Sequence, residues 1–541
     1  MRIRHLAVVG ALLAMLAVVP LAQAAPGDTN TEKLRKAVTL DGMLEHEQKF
    51  QQIANAHQGN RAAATVGYEA SVAYVKRRLE DAGYRVRLEP FDYPTWEENS
   101  PPAMELVSPT SKAYVPGSNP GDDDNPAVDF ITFEFSASGD IEAAVIPTND
   151  IVIPPAAAPD GNTSGCESTD FPAETAGNIS LIQRGTCPFV QKLANAVEAG
   201  AIGVILFNEG NPGLPGRENV IARSAEPHYE IPAVGASFAV GQELYNLFTN
   251  GDNPTVHLTV DATTHPRVQH NVVADSRRGD PENVVVVGGH LDSVPAGPGI
   301  NDNGSGVSAI LEIAEEISEL RMKPTNQLRF AFWGAEEAGL IGSSQYVAQL
   351  TEAEREDILL NLNFDMLASP NFARLVYDGN TDETPPPEGG APPGSDVIEQ
   401  RFLDYFESQG LPTQATAFDG RSDYGPFIAQ GIPAGGLFSG AEDPKTAEQV
   451  ALFGGVEGEQ LDPCYHEECD TLESVTMFPP GLPQLEGNGL VSLDQMSDAV
   501  ADATWHFAKA KNPLGSAATT ASAKGLQAYD LKFKGNQRTE R

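Results

Sequence analysis

Three apolar runs in the second half of the chain each stop abruptly on residues that bind metals or move protons. "ENVVVVGGHLDS" ends at His290, "QLRFAFWGAEE" at Glu336 and Glu337, and "ILLNLNFDM" at Asp365. Short, nearly continuous apolar runs bounded by turn signals read as strands buried on both faces. Between them, "SGVSAILEIAEEISELR" (305–321) and "GLIGSSQYVAQL" carry the apolar period of helices. Such alternation predicts an α/β fold, a mostly parallel mixed sheet flanked by helices on both faces. In open sheets of this kind ligands bind beyond the carboxyl ends of the strands. His290, Glu336, Glu337 and Asp365 are all expected there, where polar groups inside a buried layer would be misfits.

"GHLDSVPAGPGINDNGSG" (289–306) gathers one imidazole and two carboxylates where neither helix nor strand period can be read. Asp302 is therefore a candidate partner for His290. Asp292 is placed either to accept the second ring N–H of His290 or to stabilise the turn. Farther on, "DPCYHEECDT" adds Tyr465 and His466. Imidazole and carboxylate ligands suit zinc or another borderline divalent ion. Two ions about 3.5–4 Å apart can share one carboxylate, so five ligands are enough. His290 and Asp365 would hold one ion, Glu337 and His466 the other, and Asp302 would join them. Glu336, directly before Glu337, remains free as a general base. Taken alone, "AEE" reads as two solvated glutamates opening a helix; its place after an apolar strand argues for the base. The Tyr465 phenol is a candidate donor to a developing oxyanion.

The remainder of the chain sets the context. At 541 residues, two or three domains are expected. "MRIRHLAVVGALLAMLAVVPLAQAAPG" has the basic start, apolar run and small residues of a secretory signal, with cleavage after about Ala24. Leu6 to Val19 is too short to span a bilayer. A secreted or periplasmic protein follows, soluble rather than held in a membrane. Four cysteines in such a protein favour disulfides. Of three possible pairings, proximity favours Cys166–Cys187 and Cys464–Cys469; a Cys/His zinc site at "CYHEEC" is the rival for the second pair. The net charge of −40 argues against nucleic acid and anionic lipid as partners. It does not identify a substrate.

"EASVAYVKRRLEDAGY" (69–84) is predicted to be an amphipathic helix and "RVRLEPFDY" a strand, while the turn-rich residues 98–127 read as surface loops. The Asp122–Asp124 run reads as solvated loop before calcium site. From 140 to 262 the texture changes, with strand, helix and strand over 178–211. "RGTCPFVQK…AGAIGVIL" resembles a protease-associated domain, a β-rich module inserted into exported peptidases. The expected division is a signal (1–24), a first peptidase part (25–139), the insert (140–262), the main peptidase part (263–511) and a tail (512–541). "GNTDETPPPEGGAPPGS" (379–395) reads as a Pro/Gly-rich loop near the rim of the site.

Together "GNRAAATVGYEASVAYVKRRLEDAGY", "GGHLDS…GINDNGSGVSAILE", "AFWGAEEAGLIGS", "NFDM", "GRSDYGPFIAQGIPAGGLFSGAE" and "DPCYHEECDT" resemble the exported bacterial double-zinc aminopeptidases of metallopeptidase family 28. The resemblance implies two zinc ions on the five ligands above and a cis peptide after Asp302. It also implies that Arg421 lies beside the substrate, and that large apolar amino-terminal residues, leucine above all, are released from peptides. Some relatives bind calcium through an amino-terminal aspartate and a carboxy-terminal pair. Asp494 and Asp498 match the pair, but Ala37 stands at the third position, so calcium is not implied. A carboxypeptidase or glutaminyl cyclase on the same fold, and a non-catalytic binding protein, are the competing expectations.

Overall fold

The computed structural model describes residues 30–118, 125–156, 159, 161–221, 230–386 and 390–515. The signal segment, the Asp122–Asp124 run and all but the first four residues of the 512–541 tail lie outside them. Two eight-stranded sheets organise the chain. In the first, the order is Arg85–Asp92, Val268–Asp275, Asn326–Trp333, Asp280–His290, Ile358–Phe364, Ala434–Phe438, Leu375–Tyr377, Gln414–Thr416. The four strands from Asn326–Trp333 to Ala434–Phe438 run parallel. Antiparallel strands extend the sheet on both sides, at Val268–Asp275 and Leu375–Tyr377. This is the mostly parallel mixed sheet that the apolar runs predict.

Helices cover both faces because the central strands are apolar on both. Val285 and Val287 pack with Ile310, Ile313 and Val500 of the helices Gly306–Glu319 and Asn488–Lys509. Val284 and Val286 face the other way, against Tyr346, Val347 and Phe427 of Ile341–Gln349 and Tyr424–Ala429. Each such side chain, fully buried, contributes about 1.5–3 kcal/mol. The order reverses at Asp280–His290: the next strand in the chain, Asn326–Trp333, lies on one side of it and the following one, Ile358–Phe364, on the other. A crevice opens at such a switch point, beyond the strands' carboxyl ends. It opens at His290.

In the second sheet the strands Gly139–Pro147, Ile179–Gln183, Gly203–Phe207 and Ala233–Ala236 run parallel, and the others are antiparallel. Here the expectation for 98–127 is corrected. Thr95–Ser108 is a 14-residue strand paired along Thr255–His265, and register shifts absorb Asn99, Pro101 and Pro102 on either side of the paired Ser100. An irregular edge tolerates residues that a central strand does not. The two sheets are joined by one antiparallel ribbon. Asp92 stands opposite Val268 in the first sheet, Tyr93 donates its N–H to the Arg267 carbonyl at 2.9 Å, and Thr95 stands opposite His265 in the second.

The two disulfides are Cys166–Cys187 and Cys464–Cys469, so the thiols of "CYHEEC" are not metal ligands. Among the described residues of 379–395, none lines the pocket at the sheet edge. Asp378 ties that segment back instead, accepting the N–H groups of Thr381, Glu383 and Thr384. No helix among the described residues is long and apolar enough to cross a membrane.

Candidate metal centre and active site

Strand ends deliver the site. His290 terminates Asp280–His290, Glu336 and Glu337 follow Asn326–Trp333 by three and four residues, and Asp365 follows Ile358–Phe364 directly. Gly306 makes the close approach possible: a Cβ there would lie 2.4 Å from the Phe364 carbonyl. The backbone turns sharply at three non-glycine positions of positive φ, Ala335 (55°), Met366 (57°) and His466 (59°). Each costs about 1–3 kcal/mol, and each is a site residue or its neighbour. The Asp302–Asn303 peptide is cis.

The five candidate ligands converge in two groups. His290 Nε2 stands 3.1 Å from Asp302 Oδ1 and 3.1 Å from Asp365 Oδ1. His466 Nε2 stands 3.1 Å from Asp302 Oδ2 and 2.9 Å from Glu337 Oε2. Asp302 thus turns one oxygen to each group. The other ring nitrogen of His290 meets the backbone carbonyl of Asp292 at 3.1 Å, which leaves Nε2 as the free electron-pair donor. The Asp292 carboxylate is 3.7 Å from that ring, beyond hydrogen-bond reach. It accepts the Glu336 N–H instead, at 3.2 Å, and so positions the candidate base rather than the imidazole.

The charge balance is unfavourable for these residues alone. Burial opposes protonation of His290, yet the carboxylates of Asp365 and Glu336 outweigh it and raise its pKa. Burial opposes it at His466 too, but Glu337 and Asp302 push that imidazole up to about 10. Burial lifts Glu337 to about 7 despite His466 beside it, and lifts Glu336 well above the carboxylate range. Glu337 Oε1 has no hydrogen-bond partner. Four carboxylates facing two imidazoles, all donors oxygen or nitrogen, are short of positive charge. The set fits divalent zinc, which accepts these ligands.

Sequence reasoning missed the groups that hold the ligands. Asp470 accepts the N–H of Asn301 at 2.7 Å and of Asp302 at 2.9 Å, and Ser422 donates to Asp365 Oδ2 at 2.6 Å. Asp462 accepts from the Asn301 amide at 2.6 Å. Arg61, fully buried, donates to the carbonyls of Leu291, Pro298 and Gly299 at 2.5, 2.9 and 2.6 Å. Arg61→Leu leaves the buried carbonyls of Leu291 and Pro298 without a donor, at about 1–3 kcal/mol each, while Gly299 keeps the Gly304 N–H. We expect the urea midpoint to fall by an amount equivalent to about 2 kcal/mol or more; a change below about 1 kcal/mol would mean that the loop supports itself.

An open pocket adjoins both groups, lined by Glu336, Tyr465 and Arg421 and by the apolar Met366, Tyr377 and Phe438. Arg421 pairs with Glu442 at 2.9 Å and donates to the Tyr465 hydroxyl at 3.1 Å. The Cys464–Cys469 bridge closes a ring around Tyr465 and His466. Burial raises the Asp498 carboxyl, of the pair weighed for calcium, above its ordinary range, against the positive charge of Arg35.

Residues 271–477 match the family described as peptidase family M28, and residues 148–244 match the PA domain. An aminopeptidase of Pseudomonas aeruginosa (strain UCBPP-PA14) is 42% identical over 445 residues, covering 82% of this chain and 78% of that protein. Leucine aminopeptidase 2 of Arthroderma otae is 37% identical over 453 residues, 82% of each chain. The solved structure of BSAP, a zinc aminopeptidase from Bacillus subtilis, has a TM-score of 0.56 at 22% identity, covering 86% of this chain and 95% of that one. At that identity it bears on the fold alone. Identity above one third along four fifths of the chain, with both family matches in sequence order, leads to one conclusion: the chain belongs to peptidase family M28 and carries a PA domain.

Proposed function

We propose that the protein is an exported zinc aminopeptidase that releases large apolar amino-terminal residues from peptides. One observation carries the reading: Asp302 presents one oxygen to His290 and Asp365, and the other to His466 and Glu337. His290 and Asp365 would hold one zinc ion, Glu337 and His466 a second, with Asp302 shared. Zinc held there supplies Lewis acidity, making water a nucleophile near neutral pH and polarising the scissile carbonyl.

The chain's own groups do the rest. Glu336 lines the pocket beside both ligand groups, takes the proton from the attacking water on a carboxylate oxygen and passes it to the leaving amine. Tyr465 donates its O–H to the carbonyl oxygen as negative charge develops. Arg421, braced by Glu442, aims that hydroxyl and lies beside the substrate. Met366, Tyr377 and Phe438 offer an apolar wall to the first side chain, in line with the leucine aminopeptidase named among the relatives. Two disulfides support export. The division of the chain is part of the proposal: a signal over 1–24, peptidase parts at 25–94 and 266–511, a tail over 512–541 and the insert at 95–265. The insert gains 95–139 because those strands pair within its sheet.

The test is an aminoacyl-nitroanilide assay joined to metal analysis. Leucine p-nitroanilide is expected to be cleaved, its amino-blocked form to resist, and a chelator to abolish turnover, which zinc restores. Cleavage of amino-blocked but not carboxyl-blocked dipeptides would assign a carboxypeptidase. One catalytic zinc with cyclisation of amino-terminal glutamine would assign a cyclase, and zinc binding without turnover a binding protein.

A further inference from the structure

A second convergence of ligating atoms lies away from the sheet edge, between the helices Leu40–Ala56 and Gly306–Glu319. His46 has no exposed surface, and its Nδ1 is 2.7 Å from the Tyr74 hydroxyl. Its Nε2 points at Glu312 Oε2, 3.8 Å away, and Glu315 Oε2, 3.9 Å away. No hydrogen-bond partner reaches that nitrogen, since these gaps are too long for an N–H···O bond. They lie near the separation of two ligand atoms around one divalent ion with bonds of about 2.0–2.2 Å.

Charge points the same way. Burial, with the charge of Arg78, pushes His46 down to about 3. The ring is therefore neutral, and in the tautomer that donates its Nδ1 proton to the Tyr74 hydroxyl its Nε2 carries a lone pair. A hydrogen-bonded second nitrogen of this kind is the usual support of a metal-bound imidazole. Burial also lifts Glu312 to about 7, with Glu316 and Glu315 adding repulsion. Thr39 secures the other oxygen of Glu312 at 3.4 Å. Arg78 donates to both oxygens of Glu315, to Oε1 at 2.6 Å and at 2.5 Å to Oε2, the oxygen that faces His46, and reaches Glu45 at 2.8 Å. One guanidinium stands against Glu45, Glu312, Glu315 and Glu316, so the cluster keeps a net negative charge where three electron-pair donors meet.

We propose that His46, Glu312 and Glu315 form a further zinc-class divalent-cation site that pins the two helices together. The set of one imidazole and two carboxylates favours zinc over calcium or magnesium. Its role is structural: Gly306–Glu319 begins just after the Asp302 loop, and the ion would steady that helix from its far side.

The experiment compares zinc per chain in the dialysed full-length protein with that in His46→Gln and Glu312→Gln, and locates zinc in crystals of the parent by anomalous scattering at its absorption edge. Each variant is expected to carry one ion fewer per chain and to melt at lower temperature, with kcat on leucine p-nitroanilide unchanged. An anomalous peak at bonding distance from His46 Nε2 is expected in the parent. No peak there overturns the proposal, as does equal zinc in parent and variants. If neither variant folds, the parent's anomalous map decides alone. Because the peak is read at His46, the outcome is independent of how many ions the catalytic edge holds.

Discussion

Glu336→Gln is expected to lower kcat on leucine p-nitroanilide by about 1,000- to 10,000-fold, the upper part of the range for a general base, while zinc per chain stays at the parent's value. The amide keeps the carboxylate's shape but cannot accept the water's proton at neutral pH. Its position should hold, because the Glu336 backbone is tethered through its N–H to Asp292, not through its side chain. Glu337, the neighbour that faces His466, is untouched, so the ligand set survives. KM is expected to change little. Steady-state kinetics beside metal analysis read both quantities; a loss below tenfold would remove Glu336 from proton transfer.

Asp302→Ala has a different signature, in which metal and turnover fall together. Its carboxylate is buried and serves both imidazoles, so its removal strips one ligand from each group and leaves room between them. Loss of an outer partner of a metal ligand typically costs 10–100-fold in affinity or activity. A shared inner ligand should cost more, at least about 100-fold in kcat/KM, with zinc at the catalytic edge falling below one ion per chain. Asp365→Asn is the contrast, because it weakens the His290 side and spares the His466 side. Should Asp302→Ala retain zinc and rate while Asp365→Asn does not, Asp302 is not shared and the paired-ion reading fails.

The candidate site at the sheet edge was legible because its elements are short, apolar and end on unlike residues. Val284 to Val287 alternate between two cores, so the run has no polar face and its end at His290 stands out. Glu337 and His466 are 129 residues apart, but each sits in a motif with its own pattern. What stayed hidden depends on partners without a pattern. Arg61 is bound to three main-chain carbonyls some 230 residues away, and a carbonyl leaves no mark in a sequence. Asp470 likewise serves two backbone N–H groups. His46, Glu312 and Glu315 read as the polar side of two helices until the helices are packed. Thr95–Ser108 was concealed for the opposite reason: Asn99, Ser100, Pro101 and Pro102 signal a turn, and only the neighbouring Thr255–His265 carries the ladder past them.

The ribbon joining the sheets has an architectural consequence. Asp92 and Val268 face each other across one antiparallel pair, about 5 Å apart, so everything from Tyr93 to Arg267 is a hairpin loop enlarged to the size of a domain. A two-residue turn is all that such a pair needs. The catalytic half can therefore shed or exchange its appendage in one event, with no strand order rewritten and no ligand displaced.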